Sequence, residues 1–259
     1  MCSSDLACLG NGTCRLHGVA RMHERPQAEL FRALRELGYQ VDSANDRLPA
    51  VIHGAGPWKP GRCRVGIGES SQFASALLLC ARSAGWEVVY AGGDESEEAP
   101  YVTMTERLVE VFPGGGGVFS IEPDASSASY FWAAGWLLGR GLTGARAHPI
   151  DIRRWPTSGW QIDAEFPHFL PLPDMVSREI HLGDSIMTGI VLAPFADHPV
   201  QFTDLGRLRV QECERVQALR TELTRCGARV EESGDTLLVY PGTLHGAEIE
   251  TYQDHRMAM

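Results

Sequence analysis

Four short stretches of this chain place ionisable or hydroxyl side chains where they could bind an anion or move a proton. Ser70-Ser71-Gln72 begins an apolar helical pattern, where free backbone N–H groups and hydroxyls favour a phosphate. Asp184 precedes another such pattern, Glu212 stands three residues before Arg215, and Asp254-His255-Arg256 joins three ionisable groups. Each stretch also has an ordinary interpretation, as a helix cap, a charged helix start or a surface ion-pair cluster.

Two segments with nearly the same pattern each place an arginine ahead of a helix. Glu24-Arg25 opens ERPQAELFRALRELGYQVD, and Glu214-Arg215 opens ERVQALRTELTRCGARVEE. In each, an amphipathic stretch ends at a glycine, Gly38 or Gly227, that suits a left-handed C-cap, and an apolar strand follows. The repeat predicts two similar halves that hold one anion between them.

The elements that must position these residues alternate between helices and strands. We predict strands at 14–19, 50–53, 62–67, 87–90 and 236–240. We predict helices at 71–82, 101–111, 124–138, 185–195 and 213–226, the third capped by Asp124 or Ser126. The PGGGG stretch at 113–117 favours a linker, and residues 146–180 favour long loops with short strands. This alternation indicates an α/β protein.

Composition narrows the functional classes. The chain has 259 residues, enough for one large or two modest domains, and its net charge of −10 argues against a nucleic-acid surface. No apolar run is long enough to span a membrane and MCSSDL lacks signal-peptide features, so we expect a cytoplasmic protein with no membrane partner. The seven scattered cysteines contain no CxxC pair, so neither a disulfide framework nor a zinc site is expected.

Longer motifs in the chain resemble those of the 5-enolpyruvylshikimate-3-phosphate synthases, or 3-phosphoshikimate 1-carboxyvinyltransferases. The motifs are ARMHERP (20–26), SSQFASALLL (70–79), APYVTMT (99–105), PDASSASYF (123–131), LRVQECERV (208–216) and YQDHRMAM (252–259). The resemblance runs from about residue 8 to the last residue. It implies an α/β fold of two similar lobes built from βαβαββ units, with 1–121 a partial first lobe on the shikimate-phosphate side and 122–259 a partial second lobe.

The resemblance also implies a reaction. Enzymes of this family transfer the enolpyruvyl group of phosphoenolpyruvate to the 5-hydroxyl of shikimate 3-phosphate and release phosphate, a step of aromatic amino acid biosynthesis. The substrates bind between the lobes, and arginine suits them because its planar fork pairs bidentately with carboxylate and phosphate oxygens. No metal or organic cofactor is implied, and the complete enzyme is expected to be a cytoplasmic monomer.

The family roles transfer to individual residues of this chain. Shikimate 3-phosphate is expected to contact Ser70, Ser71, Gln72, Tyr101, Asp184 and Gln211. Phosphoenolpyruvate is expected to contact Arg25, Gln72, Arg215 and Arg256. The catalytic candidates are Asp184 at the 5-hydroxyl, Glu212 at the methylene proton, and His255 as a proton relay beside Arg256.

Some positions depart from the family pattern. Gln211 replaces the lysine of the LRVKETDR motif, Glu98 replaces a serine before the APY segment, and Gly183 replaces the proline before Asp184. The lysine-bearing PGSKS-like and C-terminal segments of the family have no match, and the only lysine, Lys59, corresponds to neither. We therefore expect a fragment that is inactive and poorly stable, since an open lobe exposes apolar edges.

Two alternatives remain open. A UDP-N-acetylglucosamine enolpyruvyl transferase has the same fold and arginines, but its reactive cysteine lies in a glycine-proline loop that surrounds none of the seven cysteines here. A non-catalytic remnant would keep only the shikimate-phosphate pocket, an interpretation that Gln211 and Glu98 favour. It predicts binding of shikimate 3-phosphate without release of phosphate.

Overall fold

The computed structural model describes residues 3–56, 60–68, 70–91, 99–140 and 150–259. Lys59 and Glu98, both singled out in the sequence, lie outside these ranges. The chain divides into two compact units, Met1–Phe119 and Ser120–Met259, each with its own cluster of buried apolar side chains. This division concerns compactness, so the assignment of 1–121 and 122–259 to two lobes remains a prediction.

The first unit packs helices against two small sheets. Its helices are α1 (Ser3–Leu9), α2 (Ala20–Glu24), α3 (Ala28–Glu36), α4 (Ser71–Ala84) and α5 (Ala99–Val111). Its strands are β1 (Asn11–Leu16), β2 (Gln40–Asp42), β3 (Ala50–Ala55), β4 (Gly61–Gly66) and β5 (Trp86–Ala91). One sheet is antiparallel in the order β1-β3-β2, and β4 pairs with β5 in parallel.

The amphipathic faces of α3 and α4 form much of the core of the first unit. Helix α3 buries Leu30, Phe31 and Leu34, and α4 buries Phe73 and Leu77. Apolar residues recur every three or four positions in both segments, and this spacing places them on one helical face. Burial of this face orients α4, whose first residues carry the predicted Ser-Ser-Gln cluster.

Helix α3 also covers the outer edge of β4. Glu29 Oε2 accepts a hydrogen bond from the backbone N–H of Gly66 at 2.7 Å, and Glu36 Oε2 accepts from that of Arg64 at 2.8 Å. The two carboxylates lie seven residues apart on α3, and thus on one face of the helix. Two backbone donors of the edge strand are therefore satisfied by side chains.

The second unit is built on one mixed sheet. Its strands are β6 (Met175–Ser177), β7 (Val200–Thr203), β8 (Val230–Ser233) and β9 (Thr236–Val239), and its helices are α6 (Ala125–Gly139), α7 (Ile186–Leu192), α8 (Arg215–Arg225) and α9 (His255–Ala258). The sheet order is β6-β7-β9-β8, with β6 and β7 parallel and the other pairs antiparallel. Shorter elements are a 3₁₀ segment at Ile162–Phe169, a π-helical turn at Arg178–Leu182 and 3₁₀ turns at Gly183–Ser185, Ala193–Phe195 and Gly206–Val210.

The repeated helix-to-strand unit is confirmed at its C-terminal end in both copies. After α3, the N–H groups of Gly38 and Tyr39 donate to the carbonyls of Arg35 and Leu34, respectively. After α8, the N–H groups of residues 227 and 228 donate in the same way to the carbonyls of residues 224 and 223. Gly38 and Gly227 have φ of +88° and +94°. Each helix thus ends in a Schellman motif with a left-handed glycine.

The N-terminal ends of the two copies differ. Arg215 is the first residue of α8, whereas Arg25 follows α2 as its C-cap and α3 begins only at Ala28. Pro26 follows Arg25 directly, and the residue before a proline is disfavoured in helical conformation, which accounts for the interruption. Each Glu-Arg pair thus precedes its long helix, as predicted, but in the first copy two residues separate Arg25 from α3.

Most predicted elements lie within a few residues of the observed ones, and the exceptions are short. The strand predicted at 14–19 is displaced to Asn11–Leu16, and the elements that the structure adds include α1, α9, β7 and the 3₁₀ segment that follows Gln161. The sequence of β7, VQFT, alternates apolar and polar residues, and its burial alternates with it, so this strand had a detectable signal. Asp124 caps α6 by accepting from the backbone N–H of Ser126 at 2.9 Å, as expected.

The two Schellman glycines allow a direct test of backbone strain. We expect Gly38→Ala and Gly227→Ala each to destabilise the chain by about 1–2 kcal/mol, because a left-handed conformation penalises a Cβ atom. A Cβ at 227 would lie 2.9 Å from the ring of His245, but that side chain is exposed and can rotate away, so both variants should lose a similar amount. Urea denaturation measures both. Gly68→Ala is the control, because Gly68 has no positive φ and a Cβ added there would have no other atom within 4 Å. An equally large loss of stability in this variant would contradict the strain argument.

Candidate anion-binding residues

In the first unit, the Ser-Ser-Gln cluster occupies the N-terminus of α4. Ser70 is the N-cap, and its hydroxyl accepts from the backbone N–H of Gln72 at 3.3 Å. Ser70 and Ser71 are buried, whereas the side chain of Gln72 is exposed. The capping interpretation is thus correct for Ser70, and it leaves the exposed amide of Gln72 accessible to a ligand.

Two further predicted residues of the first unit lie on α5 and at the end of α2. Tyr101 is on α5 and half-buried, and its carbonyl accepts from the hydroxyl of Thr105, whose oxygen lies within hydrogen-bonding distance, 2.8 Å, of the Ser75 hydroxyl on α4. Arg25 is half-buried at the end of α2. The Thr105–Ser75 hydrogen bond thus joins α5, which carries Tyr101, to α4.

In the second unit, Arg215 is the centre of a network of charged side chains. The residue is 1% exposed, and its Nε donates to Asp254 Oδ2 at 2.7 Å while its Nη2 donates to Asp254 Oδ1 at 3.1 Å. Nη2 also donates to Glu212 Oε2 at 2.7 Å, and Nη1 donates to Gln211 Oε1. The spacings of three and four residues in QECER bring these partners to one side of the helix start.

Asp254 connects this arginine to the next one. Its side chain has no exposed surface, and it caps the short helix α9 by accepting from the backbone N–H of Arg256 at 2.9 Å. Burial alone would raise the pKa of Asp254, but the guanidinium of Arg215 and the capping bond hold it below the usual value. Asp254 is therefore an ionised anchor for α9.

Arg256 reaches from α9 to two other elements. Its Nη1 donates to Ser126 Oγ of α6 at 2.6 Å, and its Nη2 lies 3.3 Å from Asp184 Oδ2. Nη2 of Arg178 donates to the other oxygen of Asp184 at 3.2 Å. Burial would raise the pKa of Asp184, but Arg178, Arg256 and Arg215 keep it below the usual range, so this carboxylate is charged.

A second buried carboxyl group lies beside Asp184. Asp163, on the 3₁₀ segment, is 4% exposed and accepts from the backbone N–H of Ser185 at 2.6 Å. Burial, with the charge of Asp184 as the next cause, raises the pKa of Asp163 to about 6. One carboxyl group of the pair thus holds a proton more readily than the other.

The network can bind an anion by exchanging some of its internal contacts. Arg256 and Glu212 are partly exposed, with 14% and 35% of their side-chain surface accessible, whereas Arg178 and Arg215 are almost fully buried. A ligand oxygen that displaces Glu212 would meet the guanidinium group of Arg215, and one that displaces Asp184 would meet those of Arg178 and Arg256, whose fork geometry suits carboxylate or phosphate. Across the described ranges, no group of three or more His, Cys, Asp or Glu side chains is placed to hold a metal ion.

Comparison with known proteins identifies the family. The family model described as EPSP synthase (3-phosphoshikimate 1-carboxyvinyltransferase) matches residues 4–115 and 176–259. A 3-phosphoshikimate 1-carboxyvinyltransferase of Cellvibrio japonicus is 35% identical over 286 residues, which cover 96% of this chain and 66% of that protein. A protein of the same name from Laribacter hongkongensis is 38% identical and covers 97% of this chain and 67% of that protein. The chain belongs to the EPSP synthase family.

Solved structures support the fold of the EPSP synthase family for this chain. EPSP synthase from Acinetobacter baumannii superimposes with a TM-score of 0.58 at 18% sequence identity, over 98% of this chain and 67% of that one. The recognised family and the α/β enolpyruvyl transferase-like fold are thus confirmed. The chain spans about two thirds of the length of these relatives, 66% of the first. In the described ranges, no helix is both long and apolar enough to cross a bilayer.

The structure brings together most of the site residues that the resemblance to EPSP synthases predicts in the second unit. Asp184, Gln211, Glu212, Arg215 and Arg256 belong to one network of contacts. His255 instead has 71% of its side chain exposed, and its Nδ1 lies 3.7 Å from Asp254 Oδ1. Its role as a proton relay remains a prediction.

The sequence motifs single out neither Arg178 nor Asp163, although both contact the network. Arg178 belongs to a π-helical turn and Asp163 to a 3₁₀ segment that contains Pro167, and neither element has a periodic apolar pattern. Asp163 also lies in residues 116–175, which the family model leaves unmatched. Ser126 was predicted only as a helix cap, and its hydroxyl in fact accepts from Arg256.

Cys213 is the cysteine nearest to the charged network in sequence, and its surroundings favour the thiol over the nucleophilic thiolate. Its Sγ donates to Asp254 Oδ2 at 3.4 Å, and burial together with the charge of Asp254 raises its pKa to about 12. A thiol with so high a pKa is protonated at neutral pH. This environment argues against Cys213 as the reactive thiolate that the UDP-N-acetylglucosamine alternative requires.

Proposed function

We propose that this chain acts in the transfer of the enolpyruvyl group from phosphoenolpyruvate to the 5-hydroxyl of shikimate 3-phosphate. The observation that carries the proposal is the network in which Asp254 anchors Arg215 and Arg256 while Arg256 also contacts Asp184. Two of these residues are the arginines assigned to phosphoenolpyruvate, and the third is the carboxylate assigned to the shikimate hydroxyl. Relatives that share 35–38% identity carry the name of this enzyme.

The proposed roles follow from charge and exposure. Arg256 and Arg215 bind the carboxylate or phosphate of phosphoenolpyruvate, with Arg25 and Gln72 as further ligands. Asp184, ionised and held by two arginines, orients the attacking hydroxyl and accepts its proton. Glu212 is partly exposed beside Arg215 and is the acid that protonates the methylene carbon.

The shikimate substrate is proposed to contact hydroxyl and amide groups. Ser70, Ser71 and Gln72 lie at the N-terminus of a 14-residue helix, which suits a phosphate. Tyr101, Asp184 and Gln211 complete the proposed set. We further propose that the complete enzyme is a cytoplasmic monomer without metal or organic cofactor, and size-exclusion chromatography with light scattering tests the monomer.

A second candidate, binding of shikimate 3-phosphate without turnover, has one supporting observation. Gln211 stands where the family has a lysine, and its Oε1 accepts from Arg215. The amide thus provides no positive charge to the shikimate substrate and occupies one guanidinium nitrogen. Release of inorganic phosphate from the two substrates separates the candidates, because only the enzyme releases it.

Binding of phosphoenolpyruvate should depend strongly on Arg256. In calorimetric titrations with shikimate 3-phosphate present, we expect Arg256→Met to weaken binding by about 10- to 100-fold, because a charge-assisted hydrogen-bonding group is lost. Arg256→Lys should give an intermediate affinity, since it keeps the charge but not the fork. Arg220→Met is the control, because Arg220 lies on α8 and is 46% exposed.

Two results would contradict the proposed function. Equal affinities for the wild type and Arg256→Met, or a thermal shift with UDP-N-acetylglucosamine and none with shikimate 3-phosphate, would count against the proposed function. Far-ultraviolet circular dichroism of each variant verifies that the fold is retained before the titrations are compared.

A further inference from the structure

A segment without helix or strand carries the chain from β9 to α9, and it determines where Arg256 lies. We call residues 241–253 the strap. Its backbone bonds to the backbone of the rest of the unit at two places, from the N–H of Gly242 to the carbonyl of Pro194 and from the N–H of His245 to the carbonyl of Cys226, both at 2.9 Å. Of the strap, only Leu244 packs against the apolar core, as a partly buried side chain. Polar contacts therefore hold most of it.

The largest group of those contacts converges on one buried carboxylate. Glu222 of α8 is 5% exposed, and its Oε1 accepts from the hydroxyl of Tyr252 at 2.7 Å. Its Oε2 accepts from Arg225 Nη1 at 2.7 Å and from the backbone N–H of Glu250 at 3.3 Å. Arg225 Nη1 also donates to the carbonyl of Glu248 at 3.1 Å.

The strap is not supported by close packing at this point. An open cavity of about 520 Å³ lies beside it, lined by Arg225, Tyr252 and residues 247–250. Few apolar neighbours can therefore compensate if the hydrogen bonds to Glu222 are lost. The position of this part of the strap depends on Glu222.

The residues that follow adopt a backbone conformation that needs external support. Tyr252 and Gln253 both have φ of +54°, a left-handed backbone conformation that residues other than glycine adopt only at a cost in energy. The next residue is Asp254, which caps α9 and bonds to Arg215. Such strain persists where the surroundings over-determine it.

Helix α8 contacts the end of the strap with one face. Arg215 and Glu222 are seven residues apart, which is two helical turns, so both side chains lie on the same side. Arg215 binds Asp254 and Glu222 binds Tyr252, two residues earlier. The strained pair thus lies next to two fixed points on one rigid helix.

We propose that Glu222 is a positioning residue that, through the hydroxyl of Tyr252, fixes the strained turn from which Arg256 is presented to an anionic substrate. Glu222 touches none of the reacting groups and acts through the strap. The proposal rests on the function proposed above for Arg256. It predicts that loss of the Tyr252 hydroxyl affects Arg256 rather than the unit as a whole.

The test uses Tyr252→Phe in the full chain, with Tyr240→Phe as a matched control. Tyr240 also donates its hydroxyl to a glutamate, Glu231 at 3.1 Å, but at an exposed site away from the strap turn. Hydrogen exchange of peptides covering 254–259 should become about five- to tenfold faster in Tyr252→Phe and in Glu222→Gln, as expected for one lost hydrogen bond. Exchange in Tyr240→Phe should remain unchanged.

A double-mutant cycle separates positioning from general stability. Tyr252→Phe should weaken phosphoenolpyruvate binding by about five- to tenfold in the wild type and cause no further loss in an Arg256→Met background. A loss of equal size in both backgrounds, or unchanged exchange of 254–259 in both strap variants, would overturn the proposal. If the wild type binds no phosphoenolpyruvate, the proposed function fails, and the exchange measurement still decides the role of Glu222.

Discussion

Replacement of Arg215 by methionine is expected to destabilise the second unit by about 3–5 kcal/mol, since removal of one partner from a buried ion pair leaves the other charge uncompensated. Arg215 is 1% exposed and its partner Asp254 has no exposed side-chain surface. The two are joined by two hydrogen bonds, at 2.7 and 3.1 Å. Methionine fills a similar volume but provides no donor for the carboxylate.

Urea denaturation measures this loss, with Arg220→Met as the matched control on the same helix. Arg220 is 46% exposed and its Nη1 lies 3.2 Å from Glu232, so its replacement should change the free energy of unfolding by about 0–1 kcal/mol. Addition of Asp254→Asn to Arg215→Met should recover part of the lost stability, because the buried carboxylate is then replaced by a neutral amide. Similar losses in the two arginine variants would refute the assigned role of the buried pair.

The second large effect concerns Asp163 and depends on pH. At pH 7 to 8, Asp163→Asn is expected to stabilise the chain by about 2–3 kcal/mol, from a shift of about two pKa units. The pKa of Asp163 is about 6 in the folded chain against an ordinary value of 3.8, so the folded state binds this proton more tightly than the unfolded state. The wild type therefore loses stability as the pH rises from about 4 through 6. Asparagine does not ionise, so the Asp163→Asn variant avoids this loss.

Thermal unfolding between pH 4 and pH 8 tests this sign. The asparagine amide keeps a carbonyl oxygen to accept from the backbone N–H of Ser185, so the fold around it should be retained. Near pH 4 the variant and the wild type should be equally stable. Asp151→Asn is the control, since Asp151 is exposed and should leave the pH profile unchanged within about 0.5 kcal/mol. An equal gain at pH 4 and pH 8 would contradict the explanation.

Much of the fold follows from local sequence signals. Gly38 and Gly227, each after an amphipathic run, predict the ends of α3 and α8, and the structure has a left-handed glycine at both. Asp124 ahead of an apolar segment predicts the cap of α6. These signals act within one turn of chain, and a single sequence records such short-range preferences well.

The candidate site was predictable only where family motifs cover it. Arg215, Arg256 and Asp184 follow from the resemblance. Asp163 escapes a sequence argument because its partner Ser185 is 22 residues away, and Arg178 because it reaches Asp184, six residues on, across two irregular turns. No local pattern encodes that Arg178 faces Asp184, or that Asp163 is buried beside it. Their part in the site results from tertiary packing of irregular elements.

The two carboxylates that α3 presents to β4 have a consequence for self-association. An unpaired strand edge offers a row of donors and acceptors to which another polypeptide can add as a further strand. On the outer edge of β4, Glu29 and Glu36 already occupy the N–H groups of Gly66 and Arg64. An incoming strand would have to displace both carboxylates and leave their charge without these bonds. At this edge, the chain therefore has a built-in barrier to intermolecular β-pairing and to the aggregation that such pairing initiates.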